Sequence, residues 1–74
     1  MRQVVGRNLR RLRHARGLTQ EELAFRAQVD RSYISMLETG TSYHASVAML
    51  AKLAAALGVE PAAFLQPGPG RPGA

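Results

Sequence analysis

The sequence contains no cysteine. Disulfides and thiolate metal sites are thereby excluded, and the chain suits a reducing compartment. No apolar run approaches the roughly 20 residues that a membrane span requires. The N-terminal stretch MRQVVGRNLRRLRH intersperses charged with apolar residues and lacks the continuous apolar segment of a secretory signal. A cytoplasmic protein without a membrane partner is the expectation. Also missing are a nucleophile–base pair and a glycine-rich phosphate loop, which argues against an enzyme. His14 and His44 stand alone, with no carboxylate at ligand spacing, so neither a metal nor any other cofactor is expected. Nowhere does the chain show the strict alternation of a half-buried strand.

Acidic residues are absent from residues 1–16, which carry six arginines. Residues 17–38 carry four acids against two arginines, and the remainder holds Lys52, Glu60 and Arg71. The net charge of +5 is therefore concentrated at one end. Such one-sided basicity suits a polyanion, nucleic acid or an anionic surface. The plainer reading is a solvated arginine-rich helix. At 74 residues the chain is one domain at most. A chain this short buries only about 60% of its unfolded surface, so self-association is expected to support it.

Helical periodicity runs through almost everything before residue 66. Val5, Leu9 and Leu12 fall at i, i+4 and i+7, one apolar stripe with arginines on the other faces. Gly17 closes this first helix in the left-handed conformation. Thr19 and Glu22 form a capping box opening a second helix, whose inner face is Leu23, Ala24 and Ala27. Asp30 is a good N-cap for a third, with Ile34 and Leu37 inward and Gly40 at its end. Thr41 to Ala45 form a loop. Ser46 caps a fourth helix with Val47, Leu50, Leu53, Ala54 and Leu57 expected inward, and Gly58 ends it. Pro61 starts a short fifth helix with Phe64 and Leu65 as its apolar residues, since a missing N–H costs nothing there. The tail PGPGRPGA (residues 67–74) has no apolar content to bury and is expected to be disordered. The expectation is one all-α domain of five helices over residues 1–66.

Residues 20–39 carry the distinctive spacing: Ala24, Val29, Ile34 and Leu37. It brings two short helices together at a steep angle over a small shared core and leaves the first turn of the second projecting. A projecting helix of this size fits the DNA major groove. The stretch GLTQEELAFRAQVDRSYISMLETG resembles the helix-turn-helix of the lambda-repressor-like (Cro and repressor type) family. The resemblance extends upstream through NLRRLRHARG and downstream through LAKLAAALGV, covering residues 4–65. Small single-domain members, including controller proteins of restriction–modification systems, are similar in having an arginine, a small hydroxyl residue and a tyrosine before the isoleucine. Two positions depart from the family pattern. Gln28 stands where the turn usually has glycine, so a non-glycine residue must take positive φ at some cost. Ala45 stands where the loop often has proline.

The resemblance implies duplex DNA as partner, with Arg31, Ser32, Tyr33 and Ser35 as base contacts. Arginine can bond guanine O6 and N7 together, and serine can donate or accept. Tyrosine can meet thymine methyls or a phosphate. The alternative for these residues is a solvated helix start with Tyr33 partly packed. Met36 lies further along, where methionine also serves as a gap filler. Phosphate contacts are expected from Gln20 at the positive end of the second helix, from Thr19 beyond its capping role, from Arg10, and from Ser42, Tyr43 and Ser46 around the loop. The family likeness aligns Arg13 and Glu38 with a partly buried structural ion pair, which fixes geometry more than it adds stability. Leftover apolar residues Met49, Val59, Phe64 and Leu65 are the expected homodimer surface. With no effector domain in view, no small-molecule ligand is expected. The expected function is a transcriptional regulator acting as a homodimer on an inverted repeat. The rival readings are an antitoxin that also binds a toxin protein, and an interaction module that has lost DNA binding.

Overall fold

The computed structural model describes residues 2–40 and 46–66. Their regular structure is entirely helical: α1 (Arg2–Ala15), α2 (Gln20–Ala27), α3 (Arg31–Thr39), α4 (Val47–Leu57) and a final 3-10 turn over Pro61–Leu65. The expected five-helix count is thus corrected to four α-helices. The last segment has only five residues and begins with a proline. It closes with an i to i+3 bond, Ala63 N–H to Glu60 C=O at 2.9 Å, the tighter spacing that very short helical pieces adopt.

Val5 and Leu9 on α1, Leu23, Ala24 and Ala27 on α2, Ile34 and Leu37 on α3, and Leu53, Ala54 and Leu57 on α4 form one core. Leu18 in the α1–α2 turn and Phe64 in the 3-10 turn complete it. Leu12, at the end of the α1 stripe, is only partly buried against it. Phe64 is fully buried, at 0% exposure. Its expected place on a dimer surface is therefore wrong. Neighbours in a 3-10 helix point about 120° apart; Phe64 turns inward and Leu65 outward, 52% exposed.

Two further α1 residues, Asn8 and Gly6, explain how α1 meets the end of the chain and α3. Asn8 is buried and donates both amide hydrogens, to Phe64 C=O and Gln66 C=O, each at 2.7 Å. Its Oδ1 accepts from Arg11 Nη2 at 3.1 Å. All the polar capacity of the carboxamide nitrogen is thus satisfied, as burial demands. Gly6 lies where α1 crosses α3. A Cβ there would overlap the Leu37 carbonyl and come within 3.1 Å of the Glu38 carbonyl. Alanine favours helix over glycine by about 1 kcal/mol, yet backbone cannot yield as a flexible side chain would. Gly6→Ala is expected to destabilise the domain by about 1–3 kcal/mol, the usual cost of overpacking, measured as a lower midpoint in urea unfolding. An unchanged or raised midpoint would mean that α1 and α3 are not in such close contact.

Candidate nucleic-acid interface

The start of α2 is closed in the way the sequence indicates. Thr19 is extended at φ −78°, and its Oγ1 accepts from Glu22 N–H at 3.0 Å. In return Glu22 Oε1 accepts from Thr19 N–H at 2.8 Å. The bond from the Thr19 amide, with that of its hydroxyl next, holds the Glu22 carboxyl below the ordinary carboxylate range. α2 ends at Gln28, which adopts φ 58° and ψ 49°. Val29 N–H then bonds Ala24 C=O at 3.0 Å, the closing pattern of a left-handed C-cap. Gln28 is the single non-glycine residue with positive φ among the described residues. Gln28→Gly is expected to stabilise the fold by about 0.5–1 kcal/mol. Relief of a left-handed strain of about 1–2 kcal/mol outweighs the added freedom of the unfolded chain. A thermal melt checks this; a lowered melting temperature would contradict it.

α3 starts after Asp30, whose backbone is extended at φ −70°, ψ 140°, as an N-cap should be. Its side chain makes no capping bond, unlike that of Thr19, so the expected cap is one of position only. Asp30 C=O instead accepts from Tyr33 N–H at 3.1 Å. Ile34 and Leu37 are buried and fix the rotation of α3. That rotation leaves Arg31 and Ser32 exposed on the first turn, with Met36 43% exposed one turn on. Ser35 is half-buried. Tyr33 does not project freely with its neighbours: it is half-buried and packs on the core, and burial pushes its phenol above the ordinary value. The exposed edge is therefore Arg31 and Ser32, with Tyr33 as a partly anchored shoulder.

An ion pair joins α1 to the last turn of α3. Arg13 Nε donates to Glu38 Oε2 at 2.7 Å and Nη2 to Oε1 at 3.0 Å. The two side chains are 9% and 4% exposed. Arg13 Nη1 also donates to Leu18 C=O at 2.8 Å, tying the α1–α2 turn to the same guanidinium. Planar two-point pairing of this kind suits arginine and not lysine. Gln20 joins the cluster, its Nε2 donating to Glu38 Oε1 at 3.1 Å. The expected phosphate donor is thus half-buried and already bonded within the protein on one side.

The remaining sequence-predicted residues are dispersed. Arg10 is exposed on α1. Ser46 is exposed and its Oγ accepts from Met49 N–H at 3.1 Å, capping α4. Ser42 and Tyr43 lie outside the described residues. Met49 and Val59 are half-buried, Val59 against the core. Val47, expected on the inner face of α4, is instead 82% exposed, because it stands in the first turn beyond the core positions Leu53, Ala54 and Leu57; Phe25, which the sequence did not single out, is 85% exposed. Sequence reasoning also missed Asn8, although positions 5, 8, 9 and 12 share one helical face and an asparagine inside an apolar stripe must find partners.

Known proteins share this fold. The helix-turn-helix family profile matches residues 9–64. An uncharacterized HTH-type transcriptional regulator, y4dJ of Sinorhizobium fredii, is 43% identical over 67 residues, covering 90% of this chain and 86% of that protein. The crystal structure of the restriction–modification controller protein C.AhdI from Aeromonas hydrophila superposes with a TM-score of 0.81 at 43% identity, over 85% of this chain and 94% of that one. SinR, a master regulator for biofilm formation solved in complex with DNA, superposes with a TM-score of 0.80 at 31% identity, over 84% of this chain and 98% of that one. By the family match over residues 9–64 and these likenesses, this chain belongs to the helix-turn-helix family of transcriptional regulators.

Proposed function

We propose that the protein binds duplex DNA sequence-specifically as a homodimer on an inverted repeat and so regulates transcription. The observation that carries this reading is the exposure of Arg31 and Ser32 on the first turn of α3, a helix whose other side is locked by Ile34 and Leu37. Arg31 suits the paired acceptors of guanine, and Ser32 suits a base of either hydrogen-bonding sense. Tyr33 and Ser35, half-buried beside them, add contacts at the margin of the groove. Thr19, Gln20, Arg10, Ser46, and Ser42 and Tyr43 in the loop hold phosphates and set the register. The solved DNA complex of SinR supports the choice of ligand.

Leu65, Met49 and Val59 provide the dimer surface. Phe64→Ala is no test of that surface, since it would open a core cavity; Leu65→Glu is. Selection of binding sites from random duplexes tests the whole reading. The expected product is a palindrome with half-site centres about 34 Å apart, one helical turn, bound by a species twice the 8.0 kDa chain mass in sedimentation. No enrichment over random sequence would contradict sequence-specific binding, and a bound monomer on an asymmetric site would contradict the dimer.

A further inference from the structure

Glu38 receives three hydrogen bonds from two other elements. Arg13 on α1 supplies two, and Gln20, the first residue of α2, supplies the third. The third bond fixes more than packing. A carboxamide can be turned over, exchanging its oxygen and nitrogen. Next to a carboxylate only one orientation is tolerable, because the Gln20 oxygen at 3.1 Å from Glu38 Oε1 would set lone pair against lone pair. The bonded orientation uses one N–H of Nε2 and leaves the second without a partner among the described residues.

That second N–H lies at a favourable place for an anion. The capping box occupies the Thr19 and Glu22 amides, leaving those of Gln20 and Glu21, which no helix start can bond internally. The positive end of α2 adds to them. The buried Glu38 charge does not oppose an approaching anion, because Arg13 neutralises it through two bonds.

We infer that Glu38 is a positioning residue of the DNA interface, holding the Gln20 carboxamide so that one N–H bonds Glu38 while the other bonds a backbone phosphate. The inference rests on the DNA-binding reading proposed above. Glutamine suits this bridge between two anions: it is neutral and carries two hydrogens on one nitrogen. Because the contact brings no charge, it contributes affinity without counterion release.

The test uses the operator duplex obtained by selection and an unrelated duplex, with affinity followed by fluorescence anisotropy. Gln20→Met should weaken binding about tenfold on both duplexes, the effect of one hydrogen bond to a charged group, with the salt dependence unchanged. Arg13→Met/Glu38→Met replaces the ion pair by apolar side chains, a change that folded domains often tolerate, and its fold is verified by melting. In that background Gln20→Met should cost less than about twofold, the non-additivity expected of coupled groups. An equal tenfold loss in both backgrounds overturns the inference, because Gln20 would then act unheld. So does a neutral Gln20→Met when Arg10→Ala and Arg31→Ala both weaken binding. If those two arginine variants also change nothing, the DNA-binding reading itself has failed. Proton NMR of the unaltered protein decides independently of any variant's folding. One Gln20 side-chain proton should be exchange-protected in the free protein, and adding duplex should shift the other. Release of the protected proton when DNA binds overturns the inference.

Discussion

Glu38→Ala is expected to cost the fold about 3–5 kcal/mol, the largest loss of any single substitution considered. The substitution removes the acceptor of two Arg13 bonds and one Gln20 bond, and leaves an arginine whose side chain is only 9% exposed without its counter-charge. Breaking a buried pair in this one-sided way costs about 3–5 kcal/mol. A domain of 74 residues has on the order of 4–11 kcal/mol in total. The loss therefore takes away about half of the folding free energy at the middle of these ranges. Circular dichroism at 222 nm, with urea unfolding where a folded baseline survives, measures it. The contrast with Arg13→Met/Glu38→Met separates two ideas about the pair. If the pair chiefly fixes geometry, the double replacement retains most of the stability that the single one loses. If both collapse alike, losing the bond from Arg13 to Leu18 C=O, which ties the α1–α2 turn to α1, costs as much as leaving the guanidinium unpaired.

Arg31→Ala is expected to keep the fold and lose recognition. Arg31 is exposed, the core residues of α3 are Ile34 and Leu37, and among the described residues no hydrogen bond holds its side chain. Its removal should shift the melting temperature little. On the selected operator it should cost about 1–3 kcal/mol, the discrimination carried by one good two-point contact to guanine. On unrelated duplex the loss should be smaller and should follow salt, because there only the charge is missing. The comparison to make is the ratio of the two affinities: it should fall at least about fivefold in the variant. An unchanged ratio would make Arg31 one more phosphate-binding arginine, equivalent to Arg10.

What the sequence disclosed and what it concealed divide along physical lines. Local rules were legible. The Thr19–Glu22 capping box depends on neighbours within one turn, and it forms as the spacing indicates. The left-handed turn at Gln28 follows from the family spacing even without glycine, and the φ of 58° carries the cost. The ends at Gly17, Gly40 and Gly58 are likewise left-handed. Long-range consequences were harder to see. Phe64 and Leu65 read alike as apolar residues near the chain end; only the tether from Asn8 to Phe64 C=O and Gln66 C=O decides which one enters the core. Gly6 shows no turn signal. Its role is the close passage of α1 over the Leu37 and Glu38 carbonyls, a contact 31 residues away in sequence at the nearer of the two. Tyr33 sits on the rim between core and edge, where periodicity alone cannot assign a half-buried ring. In the candidate interface the sequence named Gln20 as an outward donor, and the fold adds that Glu38 already holds it from within.

The central claim is that the first turn of α3 reads bases through Arg31. Methylation interference on the selected duplex tests it most directly, because a methyl group on guanine N7 removes one of the two acceptors that arginine would use. The account predicts that methylating one guanine in each half-site blocks the natural protein, and that this block disappears in Arg31→Ala while interference elsewhere in the site persists. The same interference pattern in both proteins would contradict it.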